Sequence, residues 1–209
     1  MALRLKPFLR WSIVILALLG IVMNLVVSGT DPLFPSLRNA NSFLFFTIQS
    51  NLIVFIWFII SLYTHHTHKT SKYLKPVYKG AMTSYITLTF LVFLTILEPI
   101  YQPTGLHLVS SVLLHYVVPF LVIVDWVLYE ETKSYQYRFI FLWLTYPLGY
   151  MIYGLFIALI FEKYLYPFFN ISQLGWLIIP YIFILTLVYF IISYTYIVLN
   201  RRMHKRRKV

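Results

Sequence analysis

The chain has 209 residues, 60% hydrophobic and 20% aromatic, with 11% charged and no cysteine. An ordinary soluble domain carries about a quarter charged residues, so this composition excludes a water-soluble globule. The missing cysteines exclude a disulfide framework, thiol catalysis and cysteine-based metal sites.

Six apolar runs recur along the chain, at about 11–27, 43–62, 80–97, 108–128, 137–161 and 174–199. About 20 helical residues cross a hydrocarbon core of roughly 30 Å. Lipid offers no partner to an open strand's backbone, so each run is predicted to be a helix. The expected fold is all-α: one polytopic membrane domain, 1–209, built as a bundle of six transmembrane helices.

The first run follows Arg4, Lys6 and Arg10, as a signal peptide would. Its apolar core is longer than a signal core, and Val27-Ser28-Gly29 is a mediocre cleavage site, so a retained helix is expected. Of the 17 Lys and Arg residues, all but Arg38 and Lys163 fall at the termini or in the loops after the second and fourth runs. By the positive-inside rule both termini are expected on the cytoplasmic side of the membrane. The same placement accounts for the formal net charge of +11 without nucleic acid as a partner. Trp11, Trp126, Trp143 and Trp176 fall near run ends, where interfacial rings settle, and Trp57 lies deeper.

The tract His65-His66-Thr67-His68 sits among lysines with no nearby carboxylate and reads as a solvated loop. No metal site and no cofactor is predicted. Asn170-Ile171-Ser172 matches a glycosylation sequon, a weak signal at this length.

Polar residues inside the runs carry the functional signal, because lipid-buried polarity is costly. Thr47, Gln49, Ser50 and Asn51 interrupt the second run. Helical geometry puts Thr47 about 6 Å and Asn51 about 12 Å below the outer boundary, with His115 of the fourth run at about 10 Å. Thr47, Ser50 and Asn51 share one helical face; Gln49 looks elsewhere. Ser111 and His115 share a face on the fourth run, and Pro119 frees the His115 carbonyl and favours a kink there. A histidine base could activate the Thr47 hydroxyl. Asn51 or Ser50 could stabilise an oxyanion or bind substrate, and Ser111 and Tyr150 are further binding candidates. The bland alternatives are a threonine bonded to its own helix, asparagine as interhelical glue and a structural histidine. Asp125 lies near the other end of the fourth run and is expected either to pair with a Lys or Arg or to bond a Tyr or Trp.

The segments Phe46-Thr47-Ile48-Gln49-Ser50-Asn51 and Leu114-His115-Tyr116-Val117-Val118-Pro119 resemble bacterial relatives of the six-helix family that includes the androgen-induced-gene protein and the androgen-dependent regulator of tissue-factor-pathway inhibitor. The resemblance implies a membrane threonine hydrolase acting on fatty acyl esters, such as fatty acid esters of hydroxy fatty acids, with Thr47 as nucleophile and His115 as base. The bilayer and a lipid ester are then the expected partners, and the bacterial cytoplasmic membrane is the location the resemblance implies. The rival expectation is a non-enzymatic lipid- or ion-handling protein, or a transporter, using the same polar site.

Overall fold

The computed structural model describes residues 2–27, 42–130 and 135–206. Arg38, Lys133, Arg207, Lys208 and the Ser28-Gly29 pair of the cleavage motif lie outside the described residues. Among those described there is helix and no strand, and six helices are long and apolar enough to cross a membrane.

The helices are α1 (Ala2–Val27), α2 (Phe46–Thr67), α3 (Pro76–Leu97), α4 (Gly105–Tyr129), α5 (Phe139–Phe161) and α6 (Ile178–Arg206). Several begin or end outside the apolar runs, because helix boundaries follow backbone chemistry more than hydropathy. Pro76 opens α3, its missing N–H costing nothing in a first turn. Pro99 follows the last turn of α3 and cannot continue it. At the end of α2, His68 takes a left-handed conformation with φ 55°. A short turn, Ile171–Leu174, leads into α6; Asn170 caps it by accepting from the Gln173 N–H at 3.0 Å.

Helix α3 is the most buried of the six, and α6 the least. Met82 and Ile86 on one face of α3 join a core with Ile13, Ala17, Val54, Phe58, Val118 and Val122 from α1, α2 and α4. Tyr85 and Leu88, on its other face, join Trp143, Phe169, Tyr189 and Ile197 in a second core with α5 and α6. Helices α1 and α4 approach closely at Gly20, where an added Cβ would stand 2.7 Å from the Leu114 side chain. The Ser110 hydroxyl seals that approach by donating to the Gly20 carbonyl at 3.0 Å.

Three expectations need correction. Trp126 and Trp143 are not interfacial rings: each is 1% exposed, and their indoles donate to the Tyr135 hydroxyl and the Val77 carbonyl. Trp176, by contrast, is 88% exposed, as a ring facing the membrane interface would be. Lys79 is not a loop charge but is 5% exposed inside α3. Arg10 and Lys79 both turn inward because Asp125 and Glu130 are buried at the same end of the bundle. Arg10 Nε lies 2.9 Å from Asp125 Oδ1, and Lys79 Nζ lies 3.0 Å from Asp125 Oδ2 and 3.1 Å from Glu130 Oε2. A charge removed from water must be paired, and here two cations face two carboxylates. The pairing expected for Asp125 is present. His65, His66 and His68 are exposed, and no group of three metal-ligating side chains is gathered among the described residues.

Candidate active site

The first turn of α2 carries Thr47, and its hydroxyl lies 3.2 Å from Nε2 of His115. The two residues are 68 apart in sequence, and the contact requires α2 and α4 to be neighbours, as they are.

Pro119 explains how α4 presents the histidine. Its ring has no N–H and would clash with the His115 carbonyl in a regular α-helix. The helix answers with a π turn over Leu113–Val117, closed by the Val118 N–H on the Leu113 carbonyl. A second π turn, Phe93–Leu97, lies in α3. The rings of Phe93 and His115 stack at 3.8 Å and 16°. Such π turns concentrate at functional sites, since each inserts one residue and re-aims its neighbours.

The hydrogen bonds fix the tautomer. His115 Nδ1 lies 3.0 Å from the Ser111 carbonyl and 3.2 Å from the Ser111 hydroxyl. A carbonyl only accepts, so Nδ1 carries the proton. Nε2 then offers its lone pair to the Thr47 O–H. This is the arrangement that activates a hydroxyl nucleophile: base in reach, and base oriented by a third group. Ser111 is thus the orienting residue on the far side of the imidazole.

Asn51 sits one turn along α2 and is fully buried. Its amide donates to the Thr47 carbonyl at 2.8 Å and to the Leu114 carbonyl at 3.1 Å, bracing α2 against the residue before His115. Both donors are consumed, so none is left for an oxyanion. Asn51 Oδ1 is buried with no partner among the described residues, a cost a purely structural residue usually avoids. Ser50 is also occupied, at 3.0 Å from the Thr47 carbonyl and 2.8 Å from the Thr89 hydroxyl. Gln49 does look elsewhere: it donates to the Phe43 carbonyl and accepts from the Tyr146 hydroxyl at 2.8 Å.

Thr47 opens on a largely apolar cavity. Leu88, Met151, Leu185 and Phe169 line its walls, with Tyr150 and Tyr166 beside the threonine. The Tyr150 hydroxyl accepts from the Phe46 N–H at 3.1 Å and donates to the Leu44 carbonyl at 3.0 Å, so it ties down the first turn of α2.

Tyr166 was not legible as a site residue. It belongs to the connection between α5 and α6, which hydropathy reads as loop. That connection dips into the bundle: Leu165, Tyr166, Phe168 and Phe169 are all buried. The dip is possible because Gly154 on α5 leaves room for the Phe169 ring, which a Cβ there would overlap. The only sequence signal was the aromatic density of Tyr164-Leu165-Tyr166-Pro167-Phe168-Phe169. Tyr166 lines the same cavity wall as Thr47, and its ring lies 6.4 Å from that of Tyr150. Burial raises its pKa above the ordinary 10.0, so it stays protonated at neutral pH.

No family model matches the chain, and no curated protein or solved structure matches it either.

Proposed function

We propose that the chain is an intramembrane lipid-ester hydrolase of the six-helix type that its Thr47 and His115 segments resemble. The observation that carries this is the Thr47–His115 contact at 3.2 Å on the wall of an apolar cavity, with Nε2 as the accepting nitrogen. An acyl chain fills the cavity and sets its ester carbonyl at Thr47. Thr47 Oγ1 attacks while His115 Nε2 takes its proton. The tetrahedral intermediate collapses, and His115 returns the proton to the leaving alcohol. Water then enters as the second nucleophile, His115 again acting as base, and releases the fatty acid and Thr47.

Transport and proton relay have less support. Between His115 and Asp125 the bundle is filled by Val54, Phe58, Ile86, Val118 and Val122, each at most 1% exposed. A polar route through the bundle would have to cross that layer. The proposed orientation places the Arg10–Lys79 end at the cytoplasmic face and Thr47 in the outer half of the bilayer, near the level of lipid esters.

Replacing Thr47 by Ala, and separately His115 by Ala, tests the reading. Each is expected to abolish fluorophosphonate labelling and fatty acyl ester hydrolysis by the purified protein in detergent. Full labelling and turnover in the Thr47 variant would exclude it as the nucleophile.

A further inference from the structure

Acyl transfer from an ester leaves negative charge on the former carbonyl oxygen, and a donor must meet it there. Most polar groups around Thr47 have no proton to give. Asn51 spends both amide protons on backbone carbonyls. The Ser50 proton is held between the Thr47 carbonyl and Thr89. The Tyr150 O–H goes to the Leu44 carbonyl. Ser111 lies at Nδ1, on the side of the imidazole away from Thr47. Tyr166 remains, on the cavity wall with Thr47.

We propose that Tyr166 is the oxyanion donor of this site, delivered to the bundle interior by the α5–α6 connection. The assignment rests on the hydrolase reading and adds to it a residue outside both helices of the Thr–His pair. Its ring is held from three sides. It stacks on Phe168 at 5.0 Å and 12°, meets Phe45 edge-on at 5.8 Å, and lies 6.4 Å from Tyr150. The phenol is therefore fixed in place, as an oxyanion donor must be. In the reaction, the carbonyl π electrons move to oxygen as Thr47 Oγ1 bonds to carbon. The Tyr166 O–H hydrogen-bonds that oxygen without transferring its proton. On collapse the C=O reforms and the alkoxide leaves with the proton held by His115.

The test uses the full chain in detergent, a medium-chain p-nitrophenyl ester and an alkyl boronic acid as tetrahedral mimic. Tyr166→Phe keeps the ring and removes the donor. Its expected result is a fall in kcat of about 10²–10³-fold with KM nearly unchanged. Boronate affinity falls with it. If Tyr166→Phe does not fold, 3,5-difluorotyrosine at position 166 keeps hydroxyl and shape but lowers the phenol pKa. The donor must be protonated, so activity is lost as pH rises through that pKa, and fluorination moves the alkaline limb of kcat to lower pH. Unchanged kcat and boronate affinity in Tyr166→Phe, or an unmoved alkaline limb, overturns the assignment while an inactive Thr47→Ala keeps the hydrolase reading. Hydrolysis retained in Thr47→Ala overturns both.

Discussion

The bundle holds two polar clusters, and they are built on opposite principles. At one end Arg10, Lys79, Asp125 and Glu130 form a network in which each buried charge faces an opposite one. The Arg10 guanidinium also lies over Trp57 at 5.7 Å and donates to the Ser61 hydroxyl. Toward the other end of α2 and α4, Thr47 and His115 form an uncharged hydrogen-bonded pair, and Thr47 lines an apolar cavity. The first cluster is closed on itself and ties α1, α3 and α4 together. The second leaves Asn51 Oδ1 unmet and sets Thr47 on a cavity wall. Buried polarity by itself does not mark function in a membrane protein; polarity with adjacent space does.

A cross of substitutions would break this comparison if it is wrong. The largest effect is expected at Thr47 and His115: Ala at either drops turnover to background, a loss of at least about 10³-fold. The melting temperature in detergent should barely move for Thr47→Ala, while His115→Ala also loses the Phe93 stack and some stability. Asp125→Ala should do the reverse. It strips Arg10 of its carboxylate and leaves Lys79 with Glu130 alone, costing about 3–5 kcal/mol, read by denaturation, while kcat per folded molecule stays near wild type. An inactive yet stable Asp125→Ala would join the two clusters into one functional system.

Smaller effects sharpen the picture. Gly154→Leu must push Phe169 aside and disturb the segment that carries Tyr166, so kcat should fall further than stability. Asn51→Ala removes one hydrogen bond within α2 and one between α2 and α4, for about 1–2 kcal/mol and a modest loss of kcat through a looser Thr47–His115 contact. Gln49→Ala, on the neutral side of α2, should cost roughly 0.6 kcal/mol, an average interhelical bond, and leave turnover intact.

Much of this architecture was legible because membrane chains are constrained twice, by length and by backbone satisfaction. Apolar runs of about 20 residues can only be spanning helices. Helical depth and periodicity placed Thr47 and His115 at one level and turned Gln49 away from them. The pairing of Asp125 followed from the cost of an isolated buried charge. Lys79 was misplaced because hydropathy assigns lysine to loops, while its partners Asp125 and Glu130 are distant in sequence. Trp126 and Trp143 were misplaced because position near a run's end says nothing about which side of the helix faces lipid.

The sequence by itself determined a six-helix membrane chain, the Thr47 and His115 candidates, and Pro119 as the disturbance beside the histidine. Those properties depend on composition and local periodicity. Tertiary structure alone decided that α2 and α4 touch, that Asn51 and Ser50 are braces with no proton to spare, and that the α5–α6 connection folds inward to bring Tyr166 to Thr47. A side chain's donors are spent on whichever carbonyls packing brings near, and no pattern within one helix records which neighbours those will be.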